Sequence, residues 1–283
     1  MFDPVKSRVA QQHPTRHTPI ATVRAHDFLW CLIPLGIWLA LWLFAPEPQL
    51  FRRLNASAQA LPELFWVSFN MLGNGWGIFA LACPLLLLAP RLLTAALCAG
   101  AIAGVISRVL KHTLEMPRPA SLLDPANFFI LGKPLTSLSM PSGHTLTAFA
   151  ILTAFYFALE AHKRSAYRWL FVVATLAGLA RIAVGAHWPA DVCAGAAIGM
   201  LSGLIGARLT QGIPERALQP QSWLMRIISA AGLVGVYILL TTTIDFPETR
   251  PVQFFAAGIA LISIVWFTWR SFGPAKTSVA ASS

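Results

Sequence analysis

Apolar residues in this chain are gathered into long blocks, separated by short polar stretches that carry most of the charge. A block of about 18–25 such residues, wound as a helix, is long enough to cross a hydrocarbon layer of roughly 30 Å. The blocks fall at about 28–45, 65–89, 92–110, 143–160, 169–187, 190–208, 224–243 and 253–269. They predict an all-α protein: a polytopic transmembrane helical bundle with six core spans and a C-terminal helix pair. Only 11% of the residues are charged and 56% are hydrophobic, whereas soluble domains carry about 25% charged residues.

Four units follow from this pattern: a polar cytoplasmic arm over 1–27, a six-span core over 28–208, an additional helix pair over 209–270, and a disordered tail over 271–283. The first block follows a long polar arm, and the small-residue site Ala58-Gln59-Ala60 lies too far beyond it for a cleaved signal, so it reads as an uncleaved span. With the N-terminus inside, thirteen of the twenty-one Lys and Arg fall in cytoplasmic segments. That bias places both termini in the cytoplasm. It also accounts for the net charge of +10, which in a soluble protein would suggest nucleic acid; no nucleic-acid partner is expected. Oligomeric state is not legible. Cys31, Cys83, Cys98 and Cys193 lie within apolar blocks without paired spacing and read as small core residues. Gly195, Gly199 and Gly203 recur every fourth residue, a spacing that lets two membrane helices approach closely.

Ionisable groups at bilayer depth are costly and mark function by default. Three groups stand out: Lys111-x6-Arg118-Pro119 at the end of the third span, Pro141-Ser142-Gly143-His144 opening the fourth, and Arg181-x5-His187-x3-Asp191 between the fifth and sixth. The alternation of spans puts all three on the outer side. Ser142 is a natural helix N-cap, and the amides that follow it, with Gly143 and His144 in the first turn, form an anion site. Lys111, Arg118 and Arg181 supply cations suited to phosphate oxygens. Pro189 starts the sixth helix, leaving His187 just before it and Asp191 in its first turn. The carboxylate then fixes the imidazole tautomer and exposes the other nitrogen as a nucleophile, while His144 protonates the leaving oxygen. These residues do not compose a metal cage, and no metal or cofactor is expected. His112, Glu115, Asp124 and Lys133 read as loop or rim groups.

The three groups resemble the signature of the type 2 phosphatidic acid phosphatase superfamily in order and spacing, over about residues 60–208. The resemblance implies a six-helix phosphatase core in a bacterial cytoplasmic membrane, with its active site facing the periplasm or exterior. It implies a phosphohistidine on His187, Asp191 orienting it, His144 protonating the leaving group, and Lys111, Arg118, Ser142, Gly143 and Arg181 binding phosphate. Ala180 stands where the pattern has serine. The implied substrate is a lipid-linked phosphate: undecaprenyl diphosphate first, then lipid A, phosphatidylglycerophosphate or phosphatidate. A phosphotransferase on the same scaffold, and a transporter or scaffold without turnover, stay open.

Overall fold

The computed structural model describes residues 22–45 and 47–272. Most of the cytoplasmic arm and all of the predicted disordered tail beyond Phe272 lie outside the described residues. Among the described residues the chain is helical, with no strand. The helices are α1 (Leu32–Phe44), α2 (Glu47–Ala58), α3 (Glu63–Gly73), α4 (Gly75–Ala82), α5 (Leu85–Leu88), α6 (Pro90–Leu114), α7 (Pro119–Leu122), α8 (Gly143–Ala158), α9 (Trp169–Ala183), α10 (Pro189–Thr210), α11 (Trp223–Thr241) and α12 (Arg250–Phe272).

Five helical segments among the described residues are long and apolar enough to cross a membrane, or six if the bent pair ending in α9 is one span. Eight uninterrupted spans were expected, and the differences have local causes. The second block is broken into α3, α4 and α5. Asn74 turns extended between the first two, and its side chain accepts from the amides of Trp76 and Gly77 to start α4. Pro84 breaks the second junction, because proline has no N–H to donate back along the helix. The fourth block forms the 16-residue α8, shorter than a full span. The fifth ends at Ala183 rather than 187. Gly185 takes φ +76° there, and the amides of Ala186 and His187 both donate to the Arg181 carbonyl.

α10 sits at the centre, against α8, α6 and α1. Lipid gives helices no hydrophobic reason to associate, so close backbone approach between small residues must hold them together. A Cβ added at Gly195, Gly199 or Gly203 would lie 2.5–2.7 Å from the carbonyl oxygens of Ser142, Leu146 and Ala150 on α8. Ala95, Ala99 and Ala103 of α6 continue this seam, packed on Leu146, Ala150 and Ala154 of α8. The four cysteines are unpaired.

α11 and α12 pack on each other and on α4. Leu239, Ala256, Ala260 and Phe267 of this pair join Met71, Cys83 and Leu86 in one buried cluster. The pair is therefore built into the bundle. α2, which the hydropathy pattern does not show, lies across the α9–α10 junction with Phe51 and Asn55 buried. The Asn55 side-chain amide donates to the carbonyls of Phe129, Ile182 and Ala183 and accepts from the Phe129 amide. The Glu47 carboxylate caps the Ala190 amide at 3.0 Å. α2 thus braces the α9–α10 junction.

Candidate active site

The end of α6, the start of α8, the end of α9 and the start of α10 meet at one end of the bundle, and all eight sequence-selected residues gather there. Ser142 caps α8, its Oγ accepting from the Thr145 amide and hydroxyl. The Ser142 amide donates to the Asp191 carbonyl at 3.0 Å, tying α8 to α10. Gly143 and His144 are the first residues of α8, where amides have no acceptor within the helix.

Pro189 opens α10, and Asp191 is its third residue. Asp191 Oδ2 accepts from the Trp188 amide at 2.9 Å and from the Ser139 hydroxyl at 2.5 Å, and lies 3.2 Å from His187 Nδ1. An ionised carboxylate only accepts, so Nδ1 carries the proton and Nε2 keeps its lone pair. His187 and Asp191 are each 1% exposed. Burial, with Arg118, Arg181, Lys111 and His144 around it, holds the His187 imidazole well below its ordinary range for protonation. The ring is neutral at physiological pH, as a nitrogen nucleophile must be.

The three cations are anchored mainly through backbone carbonyls. Lys111 Nζ donates to Leu138 at 2.9 Å; Arg118 donates to Ser137 at 3.1 Å and Ala186 at 2.9 Å. Arg181 donates to the Asn70 side chain. Among the described residues its buried Nε has no hydrogen-bond partner, so the site holds a guanidinium with a donor to spare. A cavity of about 480 Å³ opens at this end, lined in part by Lys111, Arg118, Gly143 and His144. His112 lies on its wall; Glu115, Asp124 and Lys133 do not line it. His187 and Arg181 are buried outside its lining. Ala180, fully buried, packs with Trp66 and Val67.

Four contributors escaped the sequence reading. Ser139, two residues before Pro141, buttresses Asp191, and Trp188 does so through its amide. Asn70 of α3 holds Arg181, and Asp245 lies 2.9 Å from His144 Nε2. For Asp245 a signal existed: it is an acid between two apolar blocks, on the side where the other groups converge. Asn70 and Ser139, uncharged and outside any motif, gave none.

A helical membrane bundle carrying a buried His–Asp pair among three cations is the class of protein that fold and site define. A sequence model described as the PAP2 superfamily matches residues 78–214. LpxE from Aquifex aeolicus, known from a crystal structure, is 34% identical; the match covers 58% of this chain and 96% of that one, with a TM-score of 0.49. A lipid A 1-phosphatase from Porphyromonas gingivalis is 46% identical over 70 residues, 24% of this chain and 15% of that protein. An undecaprenyl-diphosphatase from Sulfolobus acidocaldarius is 28% identical over 120 residues, 42% of this chain and 55% of that protein. The matches to these two relatives span about half of their length or less. The chain belongs to the PAP2 superfamily.

Proposed function

We propose that this protein is an integral membrane phosphatase that hydrolyses a lipid-linked phosphate or diphosphate through a phosphohistidine on His187, with no metal. The observation that carries the proposal is the convergence, at one end of the bundle, of a neutral His187 held by Asp191 with Lys111, Arg118 and Arg181 and the capped start of α8.

Each step follows from these groups. Lys111, Arg118, Arg181 and the amides after Ser142 bind the phosphoryl oxygens and neutralise charge growing on them. His187 Nε2 attacks phosphorus in line, forming a P–N bond as the P–O bond to the leaving group breaks. His144 gives its proton to the departing oxygen. It then takes a proton from water, which attacks phosphorus, releases inorganic phosphate and restores His187. Asp191 stabilises the positive charge that the His187 ring gains on phosphorylation.

The substrate we favour is undecaprenyl diphosphate, in an outward-facing site of a cytoplasmic membrane with both termini inside. The Lys and Arg distribution supports that orientation, and the Sulfolobus relative's name supports that substrate. Lipid A phosphate is the second reading, favoured by the name of the Porphyromonas relative. The test is phosphate release by the purified protein in detergent, with excess EDTA, from a panel of both lipids, phosphatidylglycerophosphate and phosphatidate. Release with one clear preference is expected, together with inhibition by vanadate and loss of activity in His187→Ala. A strict Mg²⁺ requirement, or full activity without His187, would refute the mechanism.

A further inference from the structure

Asp245 lies in the loop between α11 and α12, outside the segment that matches the family. Its carboxylate reaches back into the site: Oδ2 is 2.9 Å from His144 Nε2 and accepts from the Asn70 amide at 3.0 Å. Asn70 in turn holds Arg181.

The loop is built to hold it there. Ile244 and Phe246, on either side, are 7% and 3% exposed, and Phe246 packs with Trp66, Val67 and Val184. The Thr249 hydroxyl bonds to the carbonyls of both, and Gln253 receives the Ile244 amide while donating to Leu239 and Thr242. Asp245 itself takes φ +59°, a left-handed conformation that Asp and Asn tolerate better than most residues.

Resting on the phosphatase reading, we infer that Asp245 is a positioning residue that keeps His144 oriented and charged as the general acid, so that the C-terminal helix pair is part of the active site.

The electrostatics require such a group. Two imidazoles share one cationic cup and must hold opposite protonation states, His187 neutral and His144 protonated. Burial opposes charging of His144 most, Arg181 from α9 and then Arg118 from the α6–α8 segment add to it, and Lys111, Arg108 and His112 of α6 line the same cavity. From α3 the uncharged Asn70 reaches Asp245, and Asp191 of α10 is engaged with His187. Asp245 is the acid facing His144. Burial alone would push its carboxyl up, but His144 and Arg181, with the Asn70 amide, hold it well below the usual carboxylate range. It is therefore ionised at any working pH, and an anion at 2.9 Å favours the imidazolium.

Leaving-group dependence tests this in the purified full chain. Dodecyl phosphate expels an alkoxide that needs a proton; a dodecyl-substituted nitrophenyl phosphate expels a phenolate that does not. Asp245→Asn keeps the backbone conformation and a hydrogen-bond acceptor while removing the charge. It should lower kcat/KM for the alkyl ester by about 10- to 100-fold, at or below the lower end of what general acid–base catalysis contributes, and for the aryl ester by less than about threefold. The alkaline limb of the alkyl profile should move to lower pH, and Asp245→Glu should keep the alkyl-to-aryl ratio near wild type. If Asp245→Asn does not fold, Asp245→Ser reads the same ratio. Equal losses on both esters would overturn the inference, as would a gain on both, which would make the carboxylate a resident competitor for phosphate. Failure of the wild type on both esters would instead sink the phosphatase reading.

Discussion

Replacing Asp191 by Asn and by Ala should give very different losses, for a reason specific to this geometry. All three polar neighbours of the carboxylate converge on one oxygen: the Trp188 amide, the Ser139 hydroxyl and His187 Nδ1 all meet Oδ2. Asn can place its carbonyl oxygen there and keep every contact, so the tautomer survives and only the charge is lost. A full unit charge on His187 at 3.2 Å from the carboxylate is worth about 5 kcal/mol at an effective dielectric of 20. With about half that charge developed in the transition state, Asn loses about 2–3 kcal/mol, or about 30- to 150-fold in rate. Ala removes the tautomer lock as well, and its loss should approach about 10⁴-fold, the loss seen when a catalytic histidine is left in the wrong tautomer. The assay is initial-rate phosphate release from a lipid phosphate in detergent, with thermal unfolding to confirm that both variants are folded. Asn as damaging as Ala would refute the convergence on one oxygen, and Ala with a tenth of wild-type activity would refute the His–Asp pairing.

Three further outcomes follow. Arg181→Ala should depress kcat by about 10²- to 10³-fold, because a buried donor set aimed at transition-state charge is lost; a loss below tenfold would exclude it from phosphate binding. Gly199→Ala should lower the thermal midpoint in detergent, since its Cβ would lie 2.5 Å from the Leu146 carbonyl and overpacking of this kind costs about 1–3 kcal/mol; an unchanged midpoint would mean that α8 and α10 separate easily. The acid limb of kcat/KM should lie below the usual imidazole value of about 6.5, because His187 is held below it. Activity requires the neutral ring, and protonation of His187 does not limit it as pH falls through the usual imidazole value. An acid limb at or above about 6.5 would contradict this.

Much of the site was legible because its chemistry is written in unusual residues at fixed spacing. Lys111, Arg118, His144, Arg181, His187 and Asp191 are ionisable groups in apolar surroundings, and Pro189 and Ser142 mark helix starts whatever the tertiary context. The all-α bundle followed from block length alone. Periodicity could not show where the blocks break: Asn74 interrupts the second by capping a new helix, and Gly185 ends the fifth early through a left-handed turn. Nor could it show α2, whose short amphipathic pattern gains meaning only from Phe51 and Asn55 meeting the α9–α10 junction. Asn70 and Ser139 act through partners 111 and 52 residues away in sequence, a distance at which local pattern carries no information. Asp245 reaches His144 across 101 residues, and only its isolation between apolar blocks hinted at a role.

The most direct measurement is rapid acid-free quenching of the enzyme during turnover of a ³²P-labelled lipid phosphate, followed by mapping of the labelled peptide. An alkali-stable, acid-labile phosphoryl group on His187, absent from His187→Ala and accumulating in a variant slowed at hydrolysis, is the predicted result. Label on any other side chain, or turnover in the His187→Ala variant at the wild-type rate, would contradict the account at its centre.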